Sequence, residues 1–445
     1  MSDATVNLWG RRLGAVSWDS SRRIGVFQYD PDFHLGDIEV APLTMPVRST
    51  PYTFPALNRD TFRGLPGLLA DALPDRYGNN LIDVWLANTG QRREDFSPVD
   101  RLCYVGSRGV GALEFEPALI RNRKSARIDF DALIDLANRA LVERQHLAGR
   151  LGSDRDQEAL EQILSVGTSA GGARAKAVLA WHPETGEFRS GQVEADAGFE
   201  HWLLKFDGVS DSQEGELADP KGYGRIEYAY HLMARAAGIQ MTACRLHHEN
   251  GRSHFMTRRF DRTPEGGKIH TQTLGGMCHF DYREPGGYSY EQAIQTIRQL
   301  EIGKATVTEQ FRRAIFNVAA RNQDDHVKNI SFLMDRNGEW KLSPAYDVAY
   351  SYRPSGMWTR NHQMSLAGKV NDFTRDDLLT FARTAGVNRH EAQRVMGQVF
   401  SAVSKWREFA DEAGVDGRKV KQIERAHRGG ASLDIRKLSP SRKGS

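Results

Sequence analysis

The hydrophobic period of this chain changes along its length, and that change restricts its fold more than any other feature. Up to about residue 262 the apolar residues come mostly in short alternating or continuous runs bounded by turn formers, the mark of strands. Residues 6–9, 13–18 and 24–29 read as a small antiparallel sheet, and 111–116, 175–181 and 201–206 as further strands. Residues 243–248 and 253–260 form a hairpin about Asn250-Gly251. Helical spacing interrupts at 67–73, 80–88, 129–148 and 223–237, and the polar, acidic stretch 207–221 reads as a mobile loop. From about residue 285 the period is helical: 290–300, 307–320, 375–385 and 389–413. One exception sits inside that half. Residues 330–343 hold two short apolar strands about Asp335-Arg336-Asn337-Gly338, a hairpin signal. The last thirty residues are basic and polar and are expected to fray.

The pattern predicts an α+β chain with a β-rich N-terminal part and a mostly helical C-terminal lobe. At 445 residues it exceeds one small core. The division expected is 1–125, 126–262 and 263–445. A formal net charge of +3 is neutral on a nucleic-acid partner, and no apolar run reaches the length of a membrane span. The segment MSDATVNLWG lacks the basic and apolar regions of a signal peptide. Cys103, Cys244 and Cys278 form no CxxC pair, which argues against a zinc site or a disulfide framework. A reduced, cytoplasmic protein is the expectation.

The chemistry concentrates around the late hairpin. A helix leads into Asp324-Asp325-His326-Val327-Lys328-Asn329, and Asp347 follows the hairpin within Ala345-Tyr346-Asp347. Phosphoryl transfer to a hydroxyl needs a carboxylate to orient it and accept its proton, and hard oxygen ligands for Mg²⁺. An Asp and an Asn separated by four residues are how a kinase catalytic loop supplies them, although here the His falls inside the loop. A hairpin brings its outer ends together, so Asn329 and Asp347 are expected to be neighbours that share the metal. Upstream, Ser169-Ala170-Gly171-Gly172-Ala173-Arg174-Ala175-Lys176 is a small-residue turn whose backbone N–H groups can approach phosphates. It is not a Walker A loop. Lys205 ends an apolar strand and can reach the α/β-phosphates of ATP. Glu227, near the start of the next helix, can pair with it, a surface or N-terminal helix charge being the competing reading. Each part alone has a bland alternative: a polar loop, a turn, a solvated lysine, a cap. Their order along the chain is the order of a protein-kinase-like, two-lobed fold.

At these residues the chain resembles the HipA family of toxin kinases. The resemblance runs from the first strands to about residue 410. It is carried by residues 169–176, Leu203-Leu204-Lys205, Arg258-Arg259-Phe260-Asp261-Arg262, the 324–329 loop and Ala345-Tyr346-Asp347. Leu73-Pro74-Asp75 and Gly106-Ser107-Arg108-Gly109-Val110-Gly111-Ala112 resemble the family's leading domain. The resemblance implies a serine/threonine protein kinase using ATP and Mg²⁺. Asp324 would be catalytic, and Asn329 and Asp347 would hold the metal. ATP would be bound by Ala170, Gly171, Gly172, Ala173, Lys176, Lys205, His326 and Lys328, with Arg258 and Phe260 at the hinge beside adenine. Ser169, with Thr168 as rival acceptor, would be the autophosphorylation site, and about two negative charges there would repel ATP and inactivate the enzyme.

Two positions depart from the family: Arg174 stands where it often has Gln, and Arg258 where it has a hinge carboxylate. The implied target is an aminoacyl-tRNA synthetase, glutamyl-tRNA synthetase above all. The implied partner is a small HipB-like helix-turn-helix antitoxin, with DNA reached only through that complex. The basic positions Arg418, Lys419, Lys421, Arg425, Arg428, Arg436 and Lys437 can touch such DNA or lie on a solvated helix end and tail. A lipid or small-molecule kinase and a pseudokinase scaffold are the competing readings.

Overall fold

The computed structural model describes residues 3–35, 37–119, 175–191, 197–208 and 221–429. They form two compact units. One contains residues up to 224 together with 243–279 and 331–340; the other contains 225–242, 280–330 and 341 onward.

The first unit is built on sheets. Strands β1 (Asp3–Leu8), β2 (Arg11–Asp19), β3 (Ile24–Tyr29) and β4 (Leu113–Glu116) pair antiparallel in the order β3-β2-β1-β4. Alternation puts Ala4, Val6 and Leu8 on one face, where they pack with Leu13, Val16, Phe27 and Phe115. Each such fully buried Val, Leu or Phe side chain contributes about 1.5–3 kcal/mol. Gly14 is fixed by the close approach of β3, since a Cβ there would lie 2.2 Å from the Gln28 carbonyl. The longer helices of this part are α1 (Arg76–Asn88) and α2 (Pro98–Val105), beside two single-turn helices at Arg59–Phe62 and Gly67–Ala70. Asp75 caps α1 by accepting from Gly78 N at 2.6 Å. Ser97 and Asp100 form a reciprocal capping box on α2.

A second antiparallel sheet joins β5 (Lys176–Trp181), β6 (Phe188–Ser190), β7 (Glu200–Lys205), β8 (Cys244–Glu249) and β9 (Arg252–Arg258), ordered β6-β5-β7-β9-β8. Its register places Lys176 opposite Lys205. The expected hairpin about Asn250-Gly251 is present, and both turn residues have positive φ. Strand β10 (His270–Thr273), which has no clear alternation, pairs antiparallel with β11 (Ser331–Met334), the first arm of the 330–343 hairpin; β12 (Trp340–Leu342) returns.

The second unit is mostly helical: α3 (Tyr223–Ala236, from Arg225 on), α4 (Tyr290–Gln299), α5 (Lys304–Ala320), α6 (Arg375–Thr384), α7 (Arg389–Ser404), α8 (Trp406–Glu412) and α9 (Gly417–Ala426). Helix α5 packs against α4 and α7, and α6 against α7. Its face of Phe311, Ala314, Ile315 and Val318 is fully buried.

Two expectations are corrected. The helix expected over 389–413 breaks at Lys405. The turn there sends Trp406 into the core, where it stacks edge-on to Tyr230 and donates Nε1–H to the Val420 carbonyl at 3.1 Å. The end expected to fray begins with α9, which Asp416 caps and the burial of Val420 and Ile423 anchors. On it Arg418, Lys421 and Arg425 are exposed, but Arg428, just beyond, is buried against Phe373 and bonded to Asn371. Arg436 and Lys437 lie outside the described residues, as do the 129–148 helix and most of the 207–221 loop.

Candidate active site

Helix α5 ends at Ala320, where Arg321 turns the chain through a left-handed conformation and donates its N–H to the Asn317 carbonyl. The chain then runs without regular structure to one 3₁₀ turn, Val327–Asn329, and enters β11. Within this loop two adjacent carboxylates have opposite environments. The Asp324 side chain is 52 % exposed. The Asp325 side chain is fully buried and accepts three hydrogen bonds, from the Tyr290 hydroxyl at 2.6 Å, His362 Nδ1 at 2.7 Å and Gln363 N at 2.8 Å. Burial alone would raise the Asp325 pKa. The His362 ring and the hydrogen bonds from His362, Tyr290 and Gln363 overcome it and hold the carboxyl below its ordinary range. Asp325 is therefore a buried anchor, and Asp324 is the carboxylate left open to solvent. Gln323, buried on the other side of Asp324, donates to the Arg360 carbonyl at 3.2 Å. Both neighbours of Asp324 are thus pinned to the 360–363 segment.

The rest of the loop gathers about Asp324. His326 Nε2 lies 3.9 Å from Asp324 Oδ1. Asn329 donates Nδ2–H to the Asp324 backbone carbonyl at 2.6 Å, which turns its carboxamide oxygen the other way. Tyr282 packs its ring 5.6 Å from that of His326, and Lys328 Nζ sits 5.0 Å from the Tyr282 centroid. The ends of the hairpin do come together: Tyr346 donates its hydroxyl to the Lys328 carbonyl at 2.6 Å, and Ala345 N bonds to the Gln240 carbonyl at 2.8 Å. Asp347 follows in a left-handed conformation, φ +52°, partly exposed. A non-glycine residue held there is uncommon and costs of order 1 kcal/mol, a strain that concentrates at functional sites. Among the described residues, no group of three or more His, Cys, Asp or Glu side chains is placed to hold a metal ion.

In the first unit, Lys205 Nζ lies 5.8 Å from the Phe255 ring centroid. Arg258 pairs with Glu200 at 3.2 Å, and Phe260 is half-buried. Lys176 is buried, its Nζ 2.8 Å from Asp75 Oδ2, so the helix cap of Leu73-Pro74-Asp75 also neutralises the lysine of residues 169–176. Glu227, on α3, is only 2 % exposed, which removes the surface-charge reading. Thr168, Ser169, Ala170, Gly171, Gly172, Ala173 and Arg174 lie outside the described residues.

Residues 258–262 have a second role that the sequence reading missed. Asp261 is buried and receives Arg259 Nε at 2.8 Å, Arg259 Nη2 at 2.6 Å, Arg262 Nη1 at 2.8 Å and Gly111 N at 2.8 Å. Arg262 also donates to the Gly109 carbonyl at 3.3 Å, so the Gly106–Ala112 motif and this one form a single cluster. Burial works to raise the Asp261 pKa, and the two guanidiniums outweigh it and depress it strongly.

The class these features define is a kinase-like α+β fold in two units. A chain from Shewanella oneidensis, solved as a HipA, HipB and operator DNA complex, superposes with a TM-score of 0.66 over 98 % of this chain and 100 % of that one, at 15 % identity. Family models match at both ends: the HipA N-terminal domain over residues 4–116 and the HipA-like C-terminal domain over 168–407. The chain belongs to the HipA family. Among curated relatives, "Putative kinase Y4mE" of Sinorhizobium fredii is 25 % identical over 97 % of this chain and 99 % of its own length. A "Putative kinase" of Haemophilus influenzae is 35 % identical over 31 % of this chain and 46 % of its own.

Proposed function

We propose that this protein is an ATP- and Mg²⁺-dependent serine/threonine protein kinase acting as a cytoplasmic toxin. The observation that carries the reading is the contrast within the 324–329 loop: a carboxylate at Asp324 open to solvent, held in place by a buried carboxylate beside it and flanked by Asn329. Asp324 orients the acceptor hydroxyl and takes its proton as the oxygen attacks, a contribution of roughly 10²–10⁴-fold. The Asn329 carboxamide oxygen, freed by the bond from its nitrogen to Asp324, and the Asp347 carboxylate are hard donors suited to Mg²⁺. Bound Mg²⁺–ATP would supply the transferable phosphoryl group and neutralise its charge. Lys205, Lys328, His326 and residues 170–173 are the proposed ATP-phosphate contacts in this reading, and Arg258 and Phe260 the proposed adenine contacts. Lys176, whose ammonium is paired with Asp75, is the remaining proposed ATP-binding residue. Glu227, with its buried carboxylate, is the proposed partner of Lys205.

Ser169 is the proposed autophosphorylation site and the off-switch, with Thr168 as rival. The proposed target is an aminoacyl-tRNA synthetase. The proposed partner is a HipB-like antitoxin, with DNA contacted through that complex; the Shewanella chain, solved with HipB and operator DNA, supports it. The test is incubation with radiolabelled ATP and Mg²⁺, followed by mapping of the label. Wild type is expected to label itself at Ser169 and Asp324→Ala to remain unlabelled. A wild-type protein that takes up no label, or an Asp324→Ala variant that labels normally, refutes the reading.

A further inference from the structure

A small recess of mixed polar and apolar lining lies in the helical unit, against the 324–329 loop. Its volume is about 30 Å³, and it is lined by Gln310, Asn322 and His326 among others. One water needs roughly 10–15 Å³ of such space, so two fit. Three buried atoms of the lining have no hydrogen-bond partner in the protein: Gln310 Oε1, Asn322 Oδ1 and His326 Nδ1. Gln310 is 1 % exposed and Asn322 4 %. Native proteins rarely leave such atoms unpaired.

The chemistry of the three atoms defines what binds. Asn322 uses its Nδ2 to donate to Asn317 Oδ1 at 2.9 Å, which fixes Oδ1 as the end left over. His326 Nε2 lies 3.9 Å from Asp324 Oδ1, too long for a hydrogen bond but near enough for the negative carboxylate to favour the ring hydrogen on that nitrogen, which leaves Nδ1 an acceptor. All three atoms are then acceptors, and the occupant must be a donor. A metal cation suits the site poorly, because the buried guanidinium of Arg313 lines the same recess. Two waters suit it by count: of their four O–H groups, three serve the three acceptors and the fourth joins the waters together.

We propose that this recess binds a two-water cluster that holds the His326 ring with Nε2–H toward Asp324. His326 is thereby a positioning residue for the carboxylate. The water site stands on the geometry alone, and its effect on phosphoryl transfer rests on the kinase reading above.

A high-resolution crystal structure of the full chain is expected to show both waters, and ¹⁵N chemical shifts of labelled histidine the Nε2–H tautomer at His326. Gln310→Met replaces an acceptor by an apolar chain of similar size and should expel at least one water. Autophosphorylation at saturating ATP should fall about 10-fold, equivalent to ~1.4 kcal/mol. Gln310→Glu keeps an acceptor oxygen and should retain the waters and most of the rate. A dry recess, a cation in it, or an Nδ1–H tautomer overturns the inference, whether or not the protein labels itself. Waters present with a Gln310→Met rate equal to wild type would refute the positioning role. No label from wild type would refute the kinase reading and leave the water site to the crystal and the spectra.

Discussion

Asp324 and Asp325 are adjacent and chemically identical, yet the structure assigns them opposite consequences on substitution. Replacing Asp325 by Asn removes the charge from a fully buried group that three donors converge on. An amide brings one acceptor oxygen and two N–H groups, so at least one donor is stranded, at about 1–3 kcal/mol. The surviving bonds fall from charge-assisted to neutral strength, a further loss of roughly 1 kcal/mol each. The sum is about 3–5 kcal/mol, the usual result of breaking a buried pair on one side. Asp324→Asn alters a half-exposed side chain and should stay within about 0.5 kcal/mol of wild type. Urea unfolding followed by circular dichroism reads both stabilities, and radiolabel uptake reads activity. Asp324→Asn is expected to be stable and inactive, Asp325→Asn destabilised. The Asp325 contribution also has a pH signature. Its pKa is depressed in the folded protein, so the stabilisation is complete above the unfolded value, near 3.9, and is lost as pH falls through the folded one. Equal unfolding midpoints for the two variants, or an Asp325→Asn protein within about 1 kcal/mol of wild type, would refute the assignment of anchor and base.

Two further outcomes concern the first unit. Asp261→Asn leaves Arg259 and Arg262 buried without their shared carboxylate and should cost about 3–5 kcal/mol, seen as a lower midpoint in thermal unfolding; an unchanged midpoint would contradict it. Lys176→Met should destabilise by a similar amount through the stranded Asp75, and adding Asp75→Asn should recover part of the loss in a double-mutant cycle. A Lys176→Met protein of wild-type stability with a raised KM for ATP would show instead that nucleotide, not Asp75, is that lysine's main partner.

How much was legible in the sequence follows from the range of the forces involved. Strands and helices set by local alternation were readable: β1 to β3, β5, β7, the Asn250-Gly251 hairpin and α5 all stand close to their expected bounds. So was the meeting of the two hairpin ends, because a tight turn leaves the chain no other course. Strand β10 was missed because His270–Thr273 has no apolar alternation and is a strand only through pairing with β11. The break at Lys405 was missed because the helical spacing continues through it, and only Trp406 seeking the core decides it. At the site the doublet Asp324-Asp325 was visible, but not which member is buried. That depends on Tyr290 and His362, 35 and 37 residues away, and His362 lies in an irregular segment with no periodic signal.

The motifs that carried the resemblance look unrelated in the sequence, yet in the first unit they satisfy one another. Asp75 caps a helix of the N-terminal domain and neutralises Lys176 at the edge of the next sheet. The loop at 107–111 gives backbone carbonyls to Arg262 and Lys268 and a backbone N–H to Asp261. Each of these groups would be costly to bury alone, since an unpaired buried charge loses several kcal/mol of hydration. The C-terminal family domain therefore does not close its own electrostatic account near residues 176 and 258–262: the N-terminal domain supplies the missing partners. Contacts of this kind make residues 4–116 a structural component of the sheet that carries Lys205 and Arg258, rather than an appendage to it.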